Sequence, residues 1–176
     1  MITIKQIAWN SAKGLLAGYA ALKVMEPVTD VFYEWENPSA KKGEENARGG
    51  KAAYEVAAEK VSKLFNMKLS AQELNSLSVR LHLALGLSAS VLYAWLRPKK
   101  SKVNIGQGLR FGAAFFFLVD EGLNTVLGFT PPPQKFPWQA HARGAAAHLA
   151  YGLVSEGVLS VLTTPEDQAT PQKLAA

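Results

Sequence analysis

The sequence contains no cysteine among its 176 residues. This absence excludes a disulfide scaffold, a thiolate metal site and a cysteine nucleophile. Charged residues are also scarce, at 19%, whereas an average soluble domain carries about 25%. The nucleophile elbow and the zinc motif of hydrolases are missing, as are the P-loop and the dinucleotide-binding fingerprint. We therefore expect a non-enzymatic protein, and no cofactor is predicted outright.

The positive charge is concentrated in one short segment. The chain has 19 Lys and Arg against 14 Asp and Glu, a net charge of +5. Arg97, Lys99, Lys100 and Lys102 fall within six residues that contain no acid, directly after an apolar stretch. This arrangement is typical of the cytoplasmic flank of a membrane helix. It favours a lipid bilayer as the partner, and we expect no nucleic-acid binding.

Four stretches are poor in charge and rich in Ala, Leu, Gly and Phe, at residues 8–33, 74–96, 105–127 and 140–162. Each has about the 20 residues that a helix needs to cross a 30 Å hydrocarbon layer. All four also contain ionisable residues, so a soluble helical ligand-binding domain is an alternative.

Two patterns favour the membrane interpretation. The four tryptophans lie at or just beyond the ends of the stretches, where an amphipathic ring prefers the membrane interface. Small residues recur at a spacing of four, which lets helix backbones approach closely in lipid. The predicted helix-packing residues are Gly14, Gly18, Gly86, Gly108 and Gly112.

The connecting segments also predict helices. Ser70 and Glu73 form a capping box at the start of the second stretch, and the prolines of Thr130 to Pro133 end the third. Glu34 to Gly50 is polar and Gly-rich, which predicts a loop. Residues 51–67 form an amphipathic helix that either lies on the membrane surface or packs against the bundle.

Together these features predict an all-α fold, a four-helix transmembrane bundle in residues 1–163 with an additional amphipathic surface helix in the first long loop, residues 34–73. Residues 164–176 are predicted to form a polar C-terminal tail that frays. The cationic loop after the second span places both termini in the cytoplasm. The expected location is the bacterial inner membrane.

The ionisable residues within the spans are the candidate functional residues, because such groups normally pair or line a cavity in a membrane. Those predicted to share a buried layer in the outer half are Glu26, Asp30, His82, Asp120, Glu121, His141 and His148. A smaller set nearer the cytoplasm is Lys13, Arg110 and Glu156, in which Glu156 is expected to pair with Lys13 or Arg110.

The outer layer has several interpretations. It either holds the bundle together, for instance through Asp120 or Glu121 with Arg80, Arg143 or a histidine, or it binds a proton or a cation. Alternatively, His82 and His148 ligate a metal or a haem. The bundle could also serve as an accessory subunit of a larger membrane complex, or form a homo-oligomer.

One part of the sequence resembles a known family. The run from Leu127 to Glu156 contains a Thr-Pro-Pro turn at 130–132, the pair Pro137 and Trp138, and His148 in the last helix. In these features it resembles the YagU-like family of small bacterial multi-pass inner-membrane proteins. The segment from Ala17 to Pro38 is similar to a related set of small multi-pass proteins, as are His82 and the acidic pair at 120–121. The resemblance implies a membrane location and no particular chemistry.

Overall fold

The structure is a computed structural model that describes residues 3–169. The chain is helical over most of this range and contains no strand within it, so the all-α prediction is confirmed. Its α-helices are α1 (Ile4–Trp35), α2 (Pro38–Arg48), α3 (Ala53–Leu64), α4 (Ala71–Leu96), α5 (Ile105–Phe115), α6 (Asn124–Val126), α7 (Trp138–Val161) and α8 (Pro165–Ala169). A π-helix (Phe116–Leu123) continues α5 directly into α6, and a 3₁₀ turn (Pro133–Lys135) precedes α7.

The long helices begin at side chains that cap them. Thr3 and Gln6 form a capping box at the start of α1. The predicted box of Ser70 and Glu73 starts α4, with the Ser70 amide donating to Glu73 Oε2 at 2.8 Å. Asn104 caps α5 by accepting from the amide of Gln107. These bonds satisfy amides that lack partners in the first turn of a helix.

The segment predicted as a loop between Glu34 and Gly50 is mostly helix, so this prediction is wrong. Asn37 caps α2 by accepting from the Ala40 amide at 2.9 Å, and Pro38 occupies the first turn, where its missing N–H costs nothing. Gly49 ends the helix in the left-handed conformation, with φ +63°. Of the glycines that suggested a loop, Gly43 lies within α2, and Gly49 and Gly50 follow its end.

The predicted amphipathic helix is α3, which packs against α4. Its buried residues are Ala57, Ala58 and Ser62. Lys60 fixes its position from the other side by donating to the Leu127 carbonyl at 2.7 Å. Of the two placements that the sequence left open, the structure has the one against the bundle.

The tail predicted to fray from residue 164 begins with the short helix α8. Thr164 and Asp167 cap it reciprocally, with the Thr164 amide donating to Asp167 Oδ2 at 2.8 Å. Asp167 also forms an ion pair of 2.8 Å with Lys13 of α1, and both side chains are largely buried. The remainder of the predicted tail, residues 170–176, lies outside the described residues.

Glycines set the closest approaches between the long helices. A Cβ on Gly14 would lie 2.6 Å from the Val91 Cα, and one on Gly112 would lie 2.9 Å from the Leu149 Cα. Gly18 and Gly108 face neighbouring helices in the same way. Gly86 instead lies against the side chain of Leu22. The five glycines predicted to pack helices thus lie at the contacts of α1 with α4 and of α5 with α7.

Large apolar side chains lie mainly on the outside of the bundle, and small or polar ones lie inside. Phe117 and Leu118 are 64% and 71% exposed, and Leu16 and Leu92 are also exposed. The fully buried side chains include Ser78, Ser90, Ser155, Ser160 and Glu156. By length and hydropathy, α4 is the one helix in residues 3–169 that qualifies as a candidate membrane span.

Candidate functional site

Helix α7 lies at the centre of the bundle and contacts both α1 and α5. Its buried positions recur every three or four residues, so they form a continuous stripe along one side of the helix. The polar side chains of this stripe are Arg143, His148, Tyr151, Ser155, Glu156 and Ser160. Their order along α7 separates an outer end near Trp138, the end that the sequence analysis places outside, from an inner end near Val161.

At the inner end, Glu156 is completely buried and binds Arg97. Its Oε2 accepts from Arg97 Nε and from the Tyr93 hydroxyl, both at 2.8 Å. Its Oε1 accepts from Arg97 Nη2 at 3.0 Å, from the Asn104 amide at 3.1 Å and from the Ser160 hydroxyl at 3.1 Å. Both carboxylate oxygens therefore have several donors, which a buried charge requires.

The predicted partners of Glu156 are wrong. Lys13 instead pairs with Asp167, and Arg110 is exposed on α5. Arg97 takes their place because α4 ends at Leu96 and the next residue turns back into the bundle, where it also donates to Lys100 O and the Thr163 hydroxyl. The three residues of the predicted inner set therefore do not share one site.

The cationic run after α4, predicted as an exposed flank of a membrane helix, is exposed only in part. Arg97 is buried, and Lys99 is half-buried with its ammonium donating to the Ala94 carbonyl. Burial lowers the pKa of Lys99 to about 8, and the nearby charges of Lys13 and Arg97 act in the same direction. Only Lys100 and Lys102 of this run are exposed.

A second buried ion-pair network occupies the outer end. Arg143 Nη2 donates to both oxygens of Glu44 at 2.5 and 2.6 Å, and Nη1 donates to Glu36 Oε1. Arg48 adds an ion pair of 2.6 Å to Glu44, and the Arg143 guanidinium lies over the Tyr33 ring. Sequence reasoning missed both glutamates because they follow α1 in the segment that it assigned to a loop.

One carboxylate oxygen of this outer network has no hydrogen-bond partner among the described residues. Glu36 is 8% exposed, and its Oε2 is buried without a hydrogen-bond partner. A buried carboxylate oxygen without a donor is costly, since it loses its bonds to water and gains none in exchange. The outer network therefore binds its carboxylates less completely than the inner network binds Glu156.

Next to this network, His141 lies between two acceptors. Its Nδ1 is 2.7 Å from Glu121 Oε1, and its Nε2 is 3.0 Å from the Pro133 carbonyl oxygen. The π-helix carries Glu121, and His141 is in the first turn of α7. The sequence analysis considered Arg80, Arg143 or a histidine as partners of Asp120 or Glu121, and in the structure Glu121 contacts a histidine.

A second histidine, His148, is buried about two helix turns further in. Its Nδ1 is 2.8 Å from the Gly144 carbonyl, and its ring packs edge-on against Phe115. Asp120 lies beside the same turn of α7, near Gly144, and accepts a weak bond of 3.4 Å from Asn124.

Three of the seven residues predicted for the buried outer layer are exposed, so this part of the prediction is wrong. Glu26 and Asp30 are exposed on α1, and His82 is exposed on α4, where its ring lies against Tyr54. Glu26 and Asp30 face outward because the inner positions of α1 are occupied by small residues such as Ala17 and Ala21. Asp120, Glu121, His141 and His148 remain as the acid–histidine site, the name we use for these four residues.

Within residues 3–169, no group of three or more His, Asp or Glu side chains is placed to hold a metal ion. His82 and His148, the predicted candidates, differ in burial and belong to no such group. Neither a protein-family model nor a curated protein nor a solved structure matches the chain. The resemblance to the YagU-like family stays a prediction.

Proposed function

We propose that the chain is a multi-pass inner-membrane protein whose acid–histidine site binds protons or a small cation at the outer end of the bundle. The observation that carries the membrane part is the reversed burial of its side chains. Many large apolar side chains, among them Leu16, Leu92, Phe117 and Leu118, face outward at mid-height. The interior holds serines, Glu156 and Arg97 beside alanines and a few aromatic rings. In water this distribution forfeits the hydrophobic driving force, whereas in lipid it is the expected arrangement.

The length of the uncharged surface agrees with this proposal. Between Arg80 and Arg97, α4 carries sixteen residues without Lys, Arg, Asp or Glu. Between Lys5 and Lys23, the only such residue of α1 is the buried Lys13. Sixteen helical residues span about 24 Å. A hydrocarbon core of about 30 Å is matched when the flanking long side chains reach toward the headgroups.

The binding part of the proposal rests on the difference between the two ends. The inner carboxylate has a donor on each oxygen, so it has no capacity left for a ligand. The acid–histidine site combines half-buried acids with imidazoles, and both kinds of group can take up a proton. Such groups inside a membrane bundle typically mark proton or ion sites.

The membrane part can be tested with single cysteines, since the natural chain has none. Leu118→Cys places a thiol on a strongly exposed apolar surface, and Ser101→Cys and Gln134→Cys place thiols in the inner and outer loops. In spheroplasts, an impermeant maleimide should label Gln134→Cys directly and Ser101→Cys only after permeabilisation. Leu118→Cys should react only after denaturation in detergent.

Leu118 is the decisive position because the structure exposes 71% of it, and the polar loop positions are exposed as well. If the Leu118→Cys thiol of the native protein reacts as fast as the Ser101→Cys thiol, water covers that surface and the membrane proposal fails. Labelling of Ser101→Cys in intact spheroplasts would instead reverse the proposed orientation while leaving the spans in place.

The binding part is tested by proton flux into liposomes that contain the purified protein and a trapped pH-sensitive dye. Glu121→Gln and Asp120→Asn should each reduce the flux. Glu26→Gln, which removes an exposed carboxylate of α1, is the matched control and should leave it unchanged. If the protein conducts nothing, and both site variants instead lose a partner that co-purifies with it, the acid–histidine site serves assembly.

A further inference from the structure

The contacts of His141 require an additional proton. A neutral imidazole has one nitrogen that donates and one that accepts. The Pro133 carbonyl can only accept, so Nε2 must carry a hydrogen toward it at 3.0 Å. That leaves Nδ1 facing Glu121 Oε1 at 2.7 Å, a distance at which a lone pair and a carboxylate would repel each other. One proton must lie between them.

This proton connects three parts of the outer end. Glu121 belongs to the π-helix, His141 lies in the first turn of α7, and Pro133 belongs to the proline-rich loop between them, residues 127–137. Backbone bonds of 2.7 to 3.2 Å hold the first part of the loop, residues 127–130, to Leu123, Asn124 and Thr125. From Pro131 onward, the side-chain bond to this side is a weak one of 3.5 Å from the Thr125 hydroxyl to the Pro131 carbonyl. The imidazole is therefore the shortest side-chain link between the second part of the loop, residues 131–137, and the two helices.

We infer that the His141–Glu121 pair is a proton-binding latch that holds the proline-rich loop against the π-helix and releases it when the proton leaves. The pair is partly exposed, with side-chain accessibilities of 32% and 21%, so its proton exchanges with the outer solution. After the proton leaves, one hydrogen remains for two acceptors. The imidazole keeps it on Nδ1 toward the Glu121 carboxylate, because the bond to a charged acceptor is the stronger one, and turns the Nε2 lone pair toward the Pro133 carbonyl. The contact with the loop then becomes repulsive.

The latch rests on the proposed function, since it identifies the proton-binding pair within the acid–histidine site. Other charged groups belong to the surrounding elements. They are Asp120 of the π-helix, Lys135 of the loop, Arg143 of α7, and Arg48 of α2, which lies over the Phe136 ring that contacts His141. Arg143 and Arg48 are already paired with glutamates, and Asp120 contacts Asn124.

The test uses a nitroxide attached to a Gln134→Cys variant of the full chain in detergent. Gln134 is exposed and adjoins Pro133, so the mobility of the label reports whether the loop is held. Spectra are recorded from about pH 5 to about pH 9. The label should be immobilised at the acidic end and should become mobile as the pH rises.

Two variants assign the response. In Glu121→Gln, the side-chain amide can donate to a neutral His141, so the loop should stay immobilised and the pH response should be lost. Glu26→Gln, which removes an exposed carboxylate of α1, is the matched control and should keep the response of the natural chain. Circular dichroism verifies that each variant is folded.

A label whose mobility does not change with pH in the natural background overturns the latch. So does a Glu121→Gln variant that retains the full response, because another group would then titrate. The experiment is carried out in micelles and reads the loop alone. A failure of the latch is therefore separate from a failure of the membrane proposal, which the labelling of Leu118→Cys decides.

Discussion

Both ends of the bundle contain a buried ion pair of arginine with glutamate, but the two ends differ in how many carboxylate oxygens have hydrogen-bond donors. At the inner end, both oxygens of Glu156 have several donors and the carboxylate is fully buried. At the outer end, Arg143 serves two glutamates, one of which retains an oxygen without a partner. The comparison shows a carboxylate with donors on both oxygens at the inner end and one with an unpartnered oxygen at the outer end. The proposed proton site lies at the end whose network is less complete.

The largest effect should come from the inner end. Glu156→Gln keeps the shape of the side chain and removes its charge, which leaves Arg97 buried without a counter-charge. Breaking a buried pair in this way costs about 3 to 5 kcal/mol. Unfolding titrations in mixed micelles should show this loss, whereas Glu26→Gln on the exposed side of α1 should leave the free energy of unfolding unchanged.

A double variant distinguishes an unpaired charge from a general loss of packing. Replacing both partners, as in Arg97→Met with Glu156→Leu, should recover much of the stability that the single variant loses. If Glu156→Gln costs less than about 1 kcal/mol, the inner end is not fixed by this network. The proposed difference between the ends would then disappear.

The next effect should come from the contact between α5 and α7. A Cβ on Gly152 would lie 2.6 Å from the Gly112 nitrogen and closer still to the Gly108 carbonyl oxygen, so Gly152→Ala must push two backbones apart. Overpacking of this kind costs about 1 to 3 kcal/mol. Gly157→Ala lies on the same helix with no atom nearby, so thermal unfolding should show it to be neutral or slightly stabilising.

If the two alanine variants melt at the same temperature, backbone packing contributes little at this contact. The ion-pair networks at the two ends would then account for most of the specific interactions between the helices. If Gly152→Ala alone melts early, packing in the middle and ion pairs at the ends act together.

Helix positions were predictable from the sequence because they depend on local signals. The capping box of Ser70 and Glu73 and the prolines after Thr130 mark ends that the structure reproduces. The missed helix α2 shows the limit of such signals. Its polar composition suggested a loop, although its start at Asn37 carried a recognisable cap.

The partners of buried charges were less predictable, because they depend on how the helices turn about their axes. Residues Glu26, Asp30 and His148 looked equivalent by depth, yet only His148 faces inward. Arg97 lies just beyond a helix end, where the sequence suggested a membrane flank and the fold turns it inward. The depth of a residue in the bundle follows from counting along the helix, whereas the direction in which its side chain faces is known only from the packed structure.

The outer network should give a smaller effect that separates its two glutamates. Glu44 accepts two bonds from Arg143 and another from Arg48, so Glu44→Gln should cost about 1 to 3 kcal/mol. Glu36 uses one oxygen, and the other has no partner to lose, so Glu36→Gln should cost under about 1 kcal/mol. Equal costs in unfolding titrations would show that the second oxygen of Glu36 is satisfied in solution.

The last effect is a pH dependence at the inner end. Burial lowers the pKa of Lys99 to about 8 from its ordinary value of 10.5, so the folded state binds fewer protons between these pH values than the unfolded state. Stability rises with pH wherever the unfolded state binds more protons. Relative to Lys99→Met, the natural chain should therefore gain stability from about pH 8 to about pH 10.5.

Melting temperatures measured across this range should diverge between Lys99→Met and the natural chain. For Lys100→Met, which removes the exposed lysine next to Lys99, they should stay parallel to those of the natural chain. Parallel curves for both variants would mean that water reaches the Lys99 ammonium, and the inner end would then be more open than its buried ion pair implies.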